Sequence, residues 1–320
     1  MYFEKPIIGF SATFRSGLKG TEVQKIVPTL IFLPERKINR KELIMKTIMI
    51  NDLTESIPSV LPYSLYLARQ TDTHLHLLHI IDPRDLQSNY TPYSNSKSVT
   101  YSDVSGYDET VAKEKVIAEQ IIKKQISREV SMINHPPVTD YAIEVDNIER
   151  RLKEISEEED VSFLVFNGTP DHAIWEKFEE IHYIAMSAAC PVWIIPAGTK
   201  YHPPEELMLL LGEGEETPEN LHKVIGQTIP GEPEISTAYV KKDSLGKKLF
   251  NTKDSQEDEY YINNNEVYQK DDFLEILENH PESLPKAFVI RNSHTKSDRL
   301  FDSSFLDTIV NKFNIPVLII

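Results

Sequence analysis

Residues 45–82, MKTIMINDLTESIPSVLPYSLYLARQTDTHLHLLHIID, constrain the fold more than any other stretch of the chain. Lys46 to Ile50 is a short apolar run closed by Asn51 and Asp52, and His74 to Ile81 is a second run closed by Asp82. Between them Ser56 to Gln70 reads as a helix. Pro58 and Pro62 suit a first turn and would break a helix interior. The regular part is therefore expected from about Ser59, with Leu61, Leu65 and Ala68 on the buried face at helical spacing. Strand, helix and strand in this order form a βαβ unit, which closes right-handed into a parallel sheet. The polar residues after each run then lie at the carboxyl ends of strands, where open α/β sheets bind ligands.

The chain continues in the same alternation. Residues 83–107, rich in Ser, Tyr, Asn and Thr, read as a long mobile loop. Tyr90, Tyr93, Tyr101 and Tyr107 could stack on a ligand there, though scattered loop tyrosines are the more ordinary case. Asp108 to Met132 is an amphipathic helix with Ala118, Ile122 and Ile126 as its stripe. Thr139 to Val145 is a strand and Ile148 to Glu158 a short helix. Val161 to Phe166 is a continuous apolar run, as expected of a strand buried on both faces. A helix over His172 to Ala189 and a strand over Pro191 to Ile195 complete β-α-β-α-β-α-β-α-β.

The second half repeats this in weaker form. Strands are expected at Leu207–Leu211, Glu234–Val240, Glu259–Asn264 and Ala287–Arg291. Helices are expected after Thr217-Pro218, an N-cap and N1 pair, at Asp271–Asn279 and at Ser303–Phe313. Lys241 to Gln256 is charged and has no helical stripe, so the second helix is lost or frayed. The final Pro316-Val317-Leu318-Ile319-Ile320 parallels Pro191-Val192-Trp193-Ile194-Ile195. Two such endings one domain apart mark an internal repeat.

Charge narrows the functions available. The 320 residues carry a formal net charge of −16, a poor match for nucleic acid or an anionic membrane surface. No apolar run approaches the roughly 18 residues of a membrane helix. Residues 1–44 are basic, with eight Lys or Arg against four Asp or Glu. They read as a poorly ordered extension or as a misassigned start, with Met45 the favoured true beginning. The single cysteine, Cys190, excludes an intrachain disulfide and suits a reducing cytoplasm. Eleven glycines are about half the usual share at roughly 7% usage. That scarcity counts against phosphate-cradling loops, which need close backbone approach.

Asp52, the Leu77-Leu78-His79 run with Asp82, the Asn167-Gly168 turn and the Cys190–Pro196 ending together resemble the universal stress protein family over Met45 to Ala197. The resemblance, taken with the repeated Pro-Val ending, implies an α/β fold of two tandem universal-stress-type (HUP or Rossmann-like) domains, 45–200 and 201–320. Each is a five-stranded, mostly parallel sheet flanked by helices. It also implies that the closing strands of the two repeats pair, making an intrachain pseudo-dimer; a homodimer is the other assembly it allows. Nucleotide-binding members carry Gly-x-x-Gly, about nine residues, then Gly-Ser or Gly-Thr. Here only Gly168 matches. Asp171 falls at the second glycine, Phe178-Glu179 at the Gly-Ser, and Asp171, Glu176, Glu179 and Glu180 bring carboxylates to where a triphosphate would lie. The turn after Arg291 has no glycine at all.

By that resemblance Asp52 would contact an adenosine, with Ile80, Asn167 and Gly168 lining the same crevice. The bland alternative for Asp52 is a helix cap or loop ion pair. His74, His76 and His79 mimic a metal cluster, but in a strand 74 and 76 share one face and 79 points to the other. Cys190 reads as a buried structural thiol. Glu213, Glu215 and Glu216 lack the spacing of a calcium loop. No general base, nucleophile and anion hole occur together. The expectation is a cytoplasmic, non-enzymatic stress-response or regulatory protein acting on a protein partner, with no cofactor and with ATP and AMP disfavoured. The alternative is a binding module for an adenine nucleotide or other small ligand near Asp52 and Gly168. A nucleotide hydrolase ranks last.

Overall fold

A computed structural model describes residues 44–51, 53, 60–83, 104–169, 178–212, 215, 221–229, 231, 233–241, 267–281, 284–291 and 301–320. The expectations for residues 1–43, Asp52, the helix start near Ser59, Tyr90, Tyr93, Tyr101 and the Tyr107 side chain, residues 170–177 with Asp171 and Glu176, Glu213 and Glu216, the Thr217-Pro218 pair, and the stretches 242–266 and 292–300 fall outside them.

Among the described residues ten strands form one sheet. They are β1 Lys46–Ile50, β2 His74–Ile81, β3 Thr139–Val145, β4 Val161–Asn167, β5 Val192–Ile195, β6 Glu206–Gly212, β7 Glu234–Lys241, β8 Val267–Gln269, β9 Ala287–Ile290 and β10 Val317–Ile319. Their order is β3-β2-β1-β4-β5-β10-β9-β6-β7-β8. Every neighbouring pair is parallel except β5 and β10, which are antiparallel with Leu318 opposite Trp193. Read outward from that seam, the two sets of five strands have the same winding. The two closing strands therefore lie side by side.

The described helices are α1 Leu61–Gln70, α2 Val104–Val130, α3 Ile148–Ser156, α4 Phe178–Ala185, α5 Leu221–Thr228, α6 Lys270–Asn279 and α7 Ser303–Asp307. α7 runs on as a π-helical turn, Thr308–Lys312. Successive strand residues point to opposite faces, and both faces are covered. Ile48, Ile50, Leu164, Phe166 and Ile194 pack with α3, α4, α6 and α7. Met49, Leu77, Phe163, Trp193 and Leu318 pack with α1, α2 and α5. Two-sided burial explains why the central strands are continuously apolar instead of alternating.

Local chemistry sets the boundaries. Asn147 caps α3 by accepting from the Arg150 N–H at 2.9 Å. Asp82, at the end of β2, accepts from the Ile148 N–H at 3.2 Å. Asp302 caps α7 through the Phe305 N–H at 2.9 Å. Three boundaries differ from the sequence expectation. α2 begins at Val104, inside the stretch read as loop. α4 stops at Ala185, several residues before Pro191, which disfavours helix in the residue preceding it. The described strand beside β7 is Val267–Gln269, a few residues beyond Glu259–Asn264. No helix among the described residues is long and apolar enough to cross a membrane.

Leu318 is fully buried between β5 and β9, so Leu318→Ala is expected to lower stability by about 2–5 kcal/mol. Because one sheet spans both halves, tryptophan fluorescence and far-ultraviolet circular dichroism should report the same shifted urea midpoint. Separate transitions for the two probes would show that the halves unfold independently.

Candidate functional site

β1 and β4 are neighbours, yet the chain leaves them toward opposite edges of the sheet. Their carboxyl ends flank a topological switch point, where a ligand crevice belongs in this architecture. Both strands end in asparagine, and both asparagines fold back on their own chain. The Asn51 side-chain oxygen accepts from the Leu53 N–H at 3.1 Å, and that of Asn167 from the Thr169 N–H at 3.1 Å. These are Asx turns, in which a side chain stands in for a backbone acceptor.

At the β1 end, the Asn51 amide also donates to Gln125 Oε1 of α2 at 3.0 Å. Leu53 has φ 60°, a left-handed conformation that a branched side chain adopts at some cost. His79 Nδ1 lies 2.9 Å from the Asn51 carbonyl. A carbonyl only accepts, so Nδ1 carries the hydrogen. Burial pulls the His79 imidazole below its ordinary value of 6.5, and the Asn51 hydrogen bond opposes that shift only in part.

The β4 end is closed from the other half of the chain. The Gly168 N–H donates to the Ile195 carbonyl at 2.8 Å. The Gly168 carbonyl accepts from Asn311 Nδ2 at 3.0 Å, and Thr169 Oγ1 donates to Asn311 Oδ1 at 2.9 Å. Asp307 Oδ1 accepts from the same Asn311 amide at 2.7 Å and fixes its orientation. A Cβ on Gly168 would lie 2.3 Å from Val310 Cγ1 and 2.9 Å from Ile194 Cγ2. Gly168 is not left-handed. Its need for glycine comes from close packing against the second half.

The antiparallel seam explains this contact. α7 leads into β10, so its carboxyl end lies at the start of β10, which is the side where β4 ends. The π-helical turn, marked by the Phe313 N–H donating to the Thr308 carbonyl at 3.1 Å, carries Val310 and Asn311. Asn314 at φ 57° ends it, as left-handed residues commonly end helices.

Of the residues read as site candidates, Asn167 and Gly168 stand together at the β4 end. Ile80 is buried among Ile48, Ile50 and Ile148 in the core of one sheet face, and Asp52 lies outside the described residues. Sequence reasoning missed Val310 and Asn311. Their one sequence signal is the matched Pro191 and Pro316 endings, which imply that the helix before one closing strand approaches the other half. Elsewhere, His76 pairs with Asp140 at 2.5 Å while His79 turns to Asn51, so the two part as strand geometry requires. Among the described residues no cluster of His, Cys, Asp or Glu could hold a metal. Burial pushes the Cys190 thiol up to about 12, which keeps it protonated and poorly nucleophilic. Glu215 Oε2 accepts from the Gly212 N–H at 2.9 Å, an ordinary turn contact.

No family model matches the chain, and no curated protein matches it. Among solved structures it is similar to a universal stress protein of Archaeoglobus fulgidus, with TM-score 0.47 and 11% identity over 86% of this chain and 97% of that one. It is also similar to the universal stress protein UspA of Lactobacillus plantarum, with TM-score 0.34 and 11% identity over 48% of this chain and 97% of that one. A third likeness is to the cytoplasmic domain of a prokaryotic cation chloride cotransporter, with TM-score 0.32 and 10% identity over 86% and 95% of the two chains. At such scores and identities, what this chain does has to be read from its own residues.

Two outcomes follow from the geometry. Gly168→Ala should destabilise the protein by about 1–3 kcal/mol through overpacking, measured as a lower urea midpoint. Adding Val310→Ala should recover part of that loss; an additive pair of losses would mean that Val310 is not the obstacle. The unfolded chain holds the His79 proton up to about 6.5 and the folded chain only to a lower pH. Stability is thus fully present above 6.5 and falls as pH drops from there to the depressed folded value. Urea midpoints taken from about pH 7 to about pH 5 should show a decline that His79→Asn, which keeps a donor for Asn51, reduces.

Proposed function

We propose that this chain is a tandem universal-stress-type protein of the cytoplasm, with repeats at 45–200 and 201–320, that acts without catalysis by binding a protein partner. One observation carries this reading. At the strand end where the family places phosphate, the N–H groups of Gly168 and Thr169 are already donated within the chain, and Asn311 takes the Gly168 carbonyl and the Thr169 hydroxyl. An anion there would have to displace bonds that the chain already makes, and one of them, from the Gly168 N–H to the Ile195 carbonyl, joins two buried residues. The missing second glycine and the nearby carboxylates in the sequence point the same way. The sequence after Arg291 has no glycine at the corresponding place.

The alternative reading is a module for an adenine nucleotide or other small ligand at the β1 end. It draws on the left-handed Leu53 and the buried Asn51 beside Asp52, since strained backbone gathers at ligand sites. Calorimetric titration with ATP and Mg²⁺, and with AMP, separates the two. The partner-binding reading expects no saturable heat up to about millimolar nucleotide. Saturable binding near micromolar affinity that Asp52→Ala abolishes would replace it with the ligand-binding one.

A further inference from the structure

We propose that Asn167-Gly168 is a modification site for spontaneous deamidation, gated by closure of the seam between the two halves. It is the one Asn-Gly pair in the 320 residues. Asparagine is thermolabile, and a following glycine has no Cβ to shield its nitrogen. In the reaction the deprotonated Gly168 nitrogen attacks Asn167 Cγ. The new C–N bond forms, the bond from Cγ to the carboxamide nitrogen breaks, and ammonia leaves. Water then opens the cyclic imide at either carbonyl, giving aspartate or isoaspartate at position 167. Hydroxide or another solvent base takes the first proton, and water is the only other reactant.

The folded chain blocks each requirement. The Gly168 N–H, whose proton must be lost first, is held by the Ile195 carbonyl at 2.8 Å. The Asn167 carboxamide oxygen is held by the Thr169 N–H at 3.1 Å, and Asn167 is only 3% exposed. Val310 and Asn311 press on the glycine from the second half. Release of that contact exposes the pair to solvent. The product then opposes reclosure, because isoaspartate lengthens the main chain by one carbon just before the Gly168 N–H and shifts that donor away from the Ile195 carbonyl it meets at 2.8 Å. A chain that has opened for long enough is marked irreversibly. This inference stands apart from the partner-binding reading and survives its failure.

The test holds the purified full-length chain at mildly alkaline pH, folded in one arm and in concentrated urea in the other. Mass spectrometry of the digested chain follows the one-mass-unit gain and isoaspartate content of the peptide containing Asn167. The folded arm should deamidate at least about 100-fold more slowly, as expected if the reaction waits for local opening. Folded Asn311→Ala, or Asn311→Asp if the alanine variant does not fold, should react faster than the parent. The urea-aged chain should refold with a lowered urea midpoint. Equal rates in the two arms, or refolding of the deamidated chain to the unmodified midpoint, would overturn the proposal.

Discussion

The antiparallel pairing of β5 with β10 is the contact on which the rest of the architecture depends. It is short, with Val317 opposite Ile194, Leu318 opposite Trp193 and Ile319 opposite Val192. Without it each set of five strands would end in an edge that is apolar on both faces and has unpaired backbone groups, a template for aggregation. Joined, all these residues are buried. The aromatic contacts reinforce the seam: Tyr201, in the segment joining β5 to β6, packs edge-on to Tyr63 of α1, with ring centroids 5.0 Å apart, and stacks on Tyr66. The connecting segment is thereby held against the first half.

The direction of that pairing decides the chemistry at the β4 end. Because β10 runs against β5, the last helix of the chain delivers its carboxyl end to the place where β4 stops. Val310 fills the space above Gly168, and the Asn311 amide satisfies the carbonyl and hydroxyl that face it. A glycine at this turn would otherwise be read as a phosphate contact. Here it permits close approach of two packed halves, the same lack of a Cβ serving a different neighbour. His79 and Asp82 show a similar division. Both sit at ligand-facing strand ends in sequence terms, and both hold the backbone together: His79 at the Asn51 carbonyl, Asp82 at the start of α3.

Much of the fold was legible because the physics is local. Apolar runs of strand length and helical stripes such as Leu61, Leu65 and Ala68 act over a few residues, and the structure keeps them. The start of α2 was not legible, because Ser105 and Gly106 resemble loop chemistry. The π-helical turn was not legible either. It adds a residue to a helix without disturbing the apolar pattern of Phe305, Ile309 and Val310 by which the helix is recognised.

By itself the sequence determined the alternation of strands and helices, two-sided burial of the central strands, the acidic net charge and the scarcity of phosphate-binding glycines. Each follows from residue type and spacing alone. Only the tertiary structure decided what Gly168 is for, since its partners Val310 and Asn311 lie more than a hundred residues away. Hydrogen-bond donors at a strand end look available in any sequence. Whether they are depends on which distant surface the sheet brings against them.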